Sequence, residues 1–289
     1  MGAMPSRPYE IVDVFTDRAY AGNPLAVVLD AEGVSGEAMQ TLAKEFNLSE
    51  TAFVQPPEEG GDYRVRIFTP GAELPFAGHP SVGTAVTLAR LGRIRSGDVV
   101  QECGAGNLPV HVEGDVATIT GGEPVLGSTL DPGPLLAAAG LGFADLLVGP
   151  PAQTAAAGTD HVLLPVTEDA VARASLDSGA ARARGVKKVY LFSWDADLRL
   201  AHARLFVSEF GIAEDPATGS AALALGVWLV GNGLVPGEGE TAYSVVQGAE
   251  MGRPSRLDCV VRAQAGQACE TRVTGQVAPV AAGEIRLPG

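Results

Sequence analysis

The sequence predicts an α+β protein of two similar domains, and three observations predict it. At 289 residues the chain exceeds the usual size of one domain, and two of ordinary size account for it better. Short β-branched runs separated by turn residues dominate both halves. Finally, two stretches repeat one design, in which a strand enters a glycine-bearing loop that opens an alanine-rich helix. The first runs from Arg64 through Phe68 to Ala77-Gly78-His79-Pro80 and on to Leu91; the second runs from His202 through Phe206 to Thr218-Gly219-Ser220 and on to Val230. A shift of 138 residues places Arg66-Ile67-Phe68 on Arg204-Leu205-Phe206. A shift of 141 places Gly78 on Gly219, Leu88 on Leu229 and Gly92 on Gly233, so the second copy carries a three-residue insertion. Glycine and leucine are common, and it is the same order of elements around both copies that lifts the match above chance.

The elements follow in order. Residues 9–15 and 25–29 read as a hairpin around the turn Ala21-Gly22-Asn23-Pro24. Residues 36–46 carry Met39, Leu42, Ala43 and Phe46 at helical spacing behind Ser35, an N-cap candidate. Strands are expected at 51–54 and 63–68, where Tyr63, Val65 and Ile67 alternate with Arg64 and Arg66 in the period of a half-buried strand. Further strands are expected at 98–103, 108–112 and 116–120. Residues 121–134, rich in glycine and proline, read as a linker. Beyond it come strands at 161–166, 188–192 and 199–207 and an apolar helix at 220–230.

Composition narrows the function. Hydrophobic residues make up 46% and charged residues 19%, a globular balance. A formal net charge of −14 argues against nucleic acid, whose phosphates demand clustered Lys and Arg. Cys103, Cys259 and Cys269 form neither a CxxC pair nor an even disulfide framework, which fits a reducing compartment and plain buried thiols. The N-terminal residues show no apolar signal region and no run is long enough to span a bilayer, so a cytoplasmic protein without a membrane partner is expected. His79, His111, His161 and His202 lack ligand spacing, and no metal is indicated.

Three polar clusters sit at junctions between elements: residues 47–51, 78–81 and 214–220. Glu50 enters an apolar strand, where desolvation would raise its pKa toward that of a useful acid or base; spacing alone favours a solvated glutamate at a strand edge. His79 at a helix opening suits a carboxylate donor or proton shuttle, or simply a cap. Asp215 before Pro216 fits a turn initiator equally well. Ser220 lacks the flanks of a nucleophile elbow, so a Ser-His hydrolase is disfavoured. Helix openings after Gly78 and Gly219 present backbone N–H groups and the positive end of the macrodipole, and two such openings facing one another would grip a small carboxylate.

The segments NLSETAFV (47–54), ELPFAGHPSVGTA (73–85), EDPATGSAALA (214–224) and QGAEMGRPS (247–255), with Gly22-Asn23-Pro24 near the start, resemble the signature segments of the PhzF phenazine-biosynthesis family over almost the whole chain. The resemblance implies a diaminopimelate epimerase-like fold: two pseudo-two-fold related domains, each a β-sheet wrapped around a central helix, with the active site in the cleft between them. On this chain that gives domains at 1–124, with 277–289 returning to the first, and at 125–276. It also implies a homodimer and a cofactor-independent isomerase that moves a proton on a small carboxylate-bearing substrate. Glu50 takes the family's acid/base position, His79 and Asp215 those of the assisting residues, and Gly78, Gly219 and Ser220 those that hold the substrate carboxylate. The related epimerases carry two cysteine thiols at the glycine-rich turns, where this chain has Ala77 and Thr218, which disfavours a two-thiol racemase. Two rival readings stay open: an epimerase using Glu50 and Asp215 as its bases, and a noncatalytic binder of small carboxylates.

Overall fold

The computed structural model describes residues 5–208 and 213–288. The chain divides into two compact units, Met1–Ile119 with Thr274–Gly289, and Thr120–Val273.

In the first unit Ser6–Val14 pairs antiparallel with Asn23–Val28. Gly22 between them has φ +65, and a Cβ there would collide with the Val14 carbonyl, so this turn needs glycine. Asn23–Val28 pairs parallel with Glu50–Gln55 through the crossover helix Gly36–Phe46. That helix is capped as its sequence predicts: Ser35 Oγ accepts from Ala38 N at 3.2 Å. Its Met39, Leu42 and Ala43 pack with Val28, Phe53 and Phe68. Glu50–Gln55 pairs antiparallel with Tyr63–Phe68, whose burial alternates as expected. Tyr63–Phe68 also meets Gly97–Cys103 in parallel, and antiparallel neighbours Gly106–Glu113 and Val116–Thr120 follow. The last strand, Gln267–Arg286, pairs with Val116–Thr120 and, from Val277 on, with Ser6–Val14. The pairings thus close around the helix Gly78–Arg90, which is buried from Gly78 to Leu88. Gly83 lets that helix approach its sheet: a Cβ would stand 2.6 Å from Leu25 and 2.8 Å from Val14.

The second unit repeats this order of pairings. Gln153–Ala157 is antiparallel to Asp160–Pro165, which is parallel to Lys188–Asp195; that strand is antiparallel to Leu200–Val207, which is parallel to Gly239–Gln247; Ser255–Gln264 follows antiparallel. A short strand, Glu214–Asp215, docks on Leu200–Val207 as Glu73–Leu74 docks on Tyr63–Phe68. The helix Gly219–Gly231 has no polar face, and all but its Ser220 and Gly231 are buried, as befits a helix surrounded by its own sheet.

Residues 121–134 are not a linker. Pro124–Thr129 is a strand paired with Gln153–Ala157, and Asp131 caps the helix Pro132–Ala138 through Gly133 N at 2.9 Å. The prolines stand where they cost no hydrogen bond, at a strand start and in the first helical turn. Gly127 serves close packing on Thr154 rather than flexibility. Two short helices that the sequence reading missed, Glu168–Arg173 and Ser178–Ala183, cover one face of this unit's sheet with Leu164, Leu191 and Phe206 beneath them.

Candidate active site

The first unit brings Glu50 and His79 together. Asn47, with φ +51, ends the helix Gly36–Phe46 in the left-handed region, its N–H bonded to the Ala43 carbonyl at 3.1 Å, and this reversal delivers Glu50 to the first position of its strand. His79 is the second residue of the helix Gly78–Arg90. Its Nε2 lies 3.5 Å from Glu50 Oε2 and its Nδ1 lies 3.4 Å from Asn23 Nδ2. Burial pushes the imidazole down to about 3, against a hydrogen bond to the Pro24 carbonyl that pulls the other way. His79 is therefore neutral at ordinary pH. The contact with Glu50 is not an ion pair, and a shuttle through a stable imidazolium does not fit this site.

The second unit holds Asp215, Gly219 and Ser220. Thr218 Oγ1 donates to Asp215 Oδ2. Buried Gln247 braces the same loop, its Nε2 donating to the Asp215 carbonyl at 2.8 Å and its Oε1 accepting from Thr218 N at 3.3 Å. Gly248, with φ +77, passes so close that a Cβ would stand 2.5 Å from the carbonyl oxygens of both Pro216 and Arg253. Ser255 Oγ donates to the Pro216 carbonyl at 3.0 Å. The segment 247–255 is thus a brace for the loop 215–218. Ser220 Oγ lies 2.9 Å from Nε2 of His161, a buried histidine.

Both central helices open bare. Neither N-cap, Ala77 or Thr218, bonds the helix start with its side chain, and neither first turn carries an acidic residue. The helices Gly36–Phe46 and Ser178–Ala183, by contrast, have capping side chains in Ser35 and Asp177. An uncapped start leaves N–H groups and the positive dipole end for an anion.

Each loop into these helices is held by an arginine fork. Arg66 donates from Nε and Nη2 to Glu73, both at 2.7 Å, and lies over the Phe68 ring at 5.2 Å. Arg204 donates from Nε and Nη2 to Glu214, both at 2.8 Å, and lies over Phe206 at 4.8 Å. This explains the two sequence shifts: the arginines obey one and the glutamates the other. The insertion falls between Phe206 and Glu214, a stretch that includes residues 209–212, outside the described residues.

Asn23, His161, Gln247 and the two forks were not singled out as site residues by sequence. His161 could have been found as the polar residue in a buried β run, and the forks as the Arg-x-Phe of the repeat. None of the three cysteines joins these clusters: Cys103 is half-buried, Cys269 is exposed, and burial pushes the Cys259 thiol up. Among the described residues no group of His, Cys, Asp and Glu is placed to hold a metal ion, and no helix is long and apolar enough to cross a membrane.

Comparison with known proteins gives one consistent picture. The PhzC-PhzF family model, described as phenazine biosynthesis-like protein, matches residues 12–283. An uncharacterized isomerase of Mesorhizobium japonicum is 38% identical, covering 98% of this chain and 99% of its own. The trans-2,3-dihydro-3-hydroxyanthranilate isomerase of Pseudomonas aeruginosa is 34% identical, covering 96% and 99%. The crystal structure of a PhzF-family phenazine biosynthesis protein from Bacillus anthracis superposes with a TM-score of 0.88 at 26% identity, covering 98% and 99%.

Proposed function

The chain belongs to the PhzC-PhzF family of phenazine biosynthesis-like proteins and is an isomerase, and from that premise we propose that it moves a proton between carbons of a small carboxylate-bearing substrate, with Glu50 as its acid/base and no cofactor. The observation that carries the proposal is the contact between Glu50 and buried, neutral His79. An imidazolium at that distance would hold the carboxylate in its charged form and blunt it as a base, whereas a neutral imidazole imposes no such penalty.

In this reading the Glu50 carboxylate takes a proton from one allylic carbon, and the electron pair left behind spreads through the conjugated system toward the substrate carboxylate. The resulting acid returns the proton to another carbon on the same face. Gly78, Gly219 and Ser220 hold the carboxylate where charge develops, using the bare helix starts, and Asp215 assists on the substrate's polar groups. Ala77 and Thr218 offer no thiol, which supports a proton shift rather than two-thiol racemisation.

Turnover in deuterated water tests this, with trans-2,3-dihydro-3-hydroxyanthranilate and other unsaturated cyclic carboxylates as candidates. Isomerised product whose deuterium uptake depends on Glu50 is expected, with turnover in Glu50→Gln lower by roughly 10²–10⁴-fold. Near-normal turnover by the variant removes Glu50 from the role. Inversion at a single carbon assigns the chain to epimerisation, and binding without exchange by any candidate marks a noncatalytic binder.

A further inference from the structure

The second residue of each central helix is held by a side chain from a strand of its own unit: His79 by Asn23, and Ser220 by His161. The second pairing is not explained by the proton chemistry assigned to Glu50. His161 is only 3% exposed, its Nε2 lies 2.9 Å from Ser220 Oγ, and its Nδ1 is buried with no hydrogen-bond partner. Burial and the Lys188 cation both hold the ring neutral, pushing it down to about 3. One nitrogen therefore carries the hydrogen. Placed on Nδ1, it would be a buried donor without an acceptor, on a ring already facing a cation; a bare lone pair there is the smaller cost, since orphaned buried N–H groups are rarer than under-satisfied acceptors. Placed on Nε2, it meets the Ser220 oxygen.

We infer that His161 is a positioning residue whose Nε2–H donates to Ser220 Oγ, so that the serine hydroxyl hydrogen is turned outward at the helix start as a donor to a substrate carboxylate. With the opposite tautomer, Ser220 would spend its hydrogen on His161 and offer an anion only lone pairs. The inference rests on the carboxylate-holding role proposed above for Ser220. It adds the residue that decides whether that hydroxyl attracts or repels the anion.

Two measurements test it. Nitrogen-15 NMR of the histidine rings in the full chain at pH 7, assigned with His161→Gln, should show His161 as the neutral tautomer with its hydrogen on Nε2. Binding of 2-aminobenzoate, with aniline as the probe lacking a carboxylate, should weaken roughly tenfold in Ser220→Ala, as expected for losing one hydrogen bond to a charged group. His161→Phe should weaken it severalfold, the double variant should be no worse than Ser220→Ala, and His161→Gln, which keeps an N–H donor, should recover part of the loss. An Nδ1–H tautomer, an imidazolium at pH 7, or normal binding by His161→Phe beside a weakened Ser220→Ala overturns the positioning role and leaves the carboxylate site standing. Normal binding by Ser220→Ala overturns both.

Discussion

Removing one carboxylate from each arginine fork should give very different losses, although the two forks share one geometry. Arg204 and Glu214 have side chains 8% and 13% exposed, and Arg204 Nη1 also donates to the carbonyls of Val171 and Ala174 at 3.1 and 2.6 Å. Glu214→Gln keeps the size of the side chain but removes the two-point partner of a buried guanidinium and leaves only Glu250 Oε2, 4.0 Å from Arg204 Nε, as counter-charge, a change that costs about 3 kcal/mol, the low end for a broken buried pair. Arg66 and Glu73 are 27% and 43% exposed, so water replaces what Glu73→Gln removes, and the loss should be about 1 kcal/mol or less. Urea unfolding followed by circular dichroism reads both units, while Trp194 and Trp228, the two tryptophans of the chain, report on the second. With a slope of about 3 kcal/mol per molar, Glu214→Gln should lower its unit's midpoint by about 1 M, and Glu73→Gln by about 0.3 M or less. Arg204→Lys should resemble Glu214→Gln, because an ammonium cannot make the planar two-point contact. Equal shifts for the two glutamine variants would show that burial does not set the strength of these forks.

Acid should destabilise the protein well above the carboxylate range. His79 and His161 are held near 3 when folded and return to about 6.5 when unfolded, so the unfolded chain binds more protons between those values and stability falls as pH drops from 6.5 toward 3. Each contributes a slope of up to about 1.4 kcal/mol per pH unit, checked by urea midpoints at pH 7.5, 6 and 5; a flat profile contradicts the neutral assignment. Gly248→Ala should loosen the loop 215–218, since the new methyl meets two carbonyl oxygens at 2.5 Å in a left-handed backbone. Faster amide exchange around Asp215, with the first unit unchanged, is the expected result, and unchanged exchange there removes the brace.

Much of the frame was legible because it is local. Ser35 caps a helix three residues on, and Tyr63, Val65 and Ile67 alternate within one strand. The Arg-x-Phe repeat was visible as a pattern, but its meaning was not: each arginine serves a glutamate on the next short strand, and only the fold shows that contact. His161 and Gln247 were out of reach for a similar reason. Their partners lie 59 and 32 residues away, and a lone histidine or glutamine in a β run has no local signature. The supposed linker failed differently, because glycine and proline at 121–134 answer to packing and strand-edge constraints rather than to mobility.

The repeat keeps the frame and exchanges the chemistry, and this bears on the kind of isomerisation. In both units a fork fixes the incoming loop and glycine opens an uncapped helix. At the next residue the units part. The first presents neutral His79 beside the Glu50 carboxylate; the second presents a hydroxyl beside neutral His161, and its nearby carboxylate, Asp215, already accepts the Thr218 hydroxyl. A two-base racemase needs a pair of groups that alternate as acid and base with similar ease, because the reaction runs both ways through the same centre. A proton shift needs one such group, together with something to steady the charge while the proton is in transit. The unequal furnishing of two equal frames favours the second arrangement, the single-base proton shift proposed above.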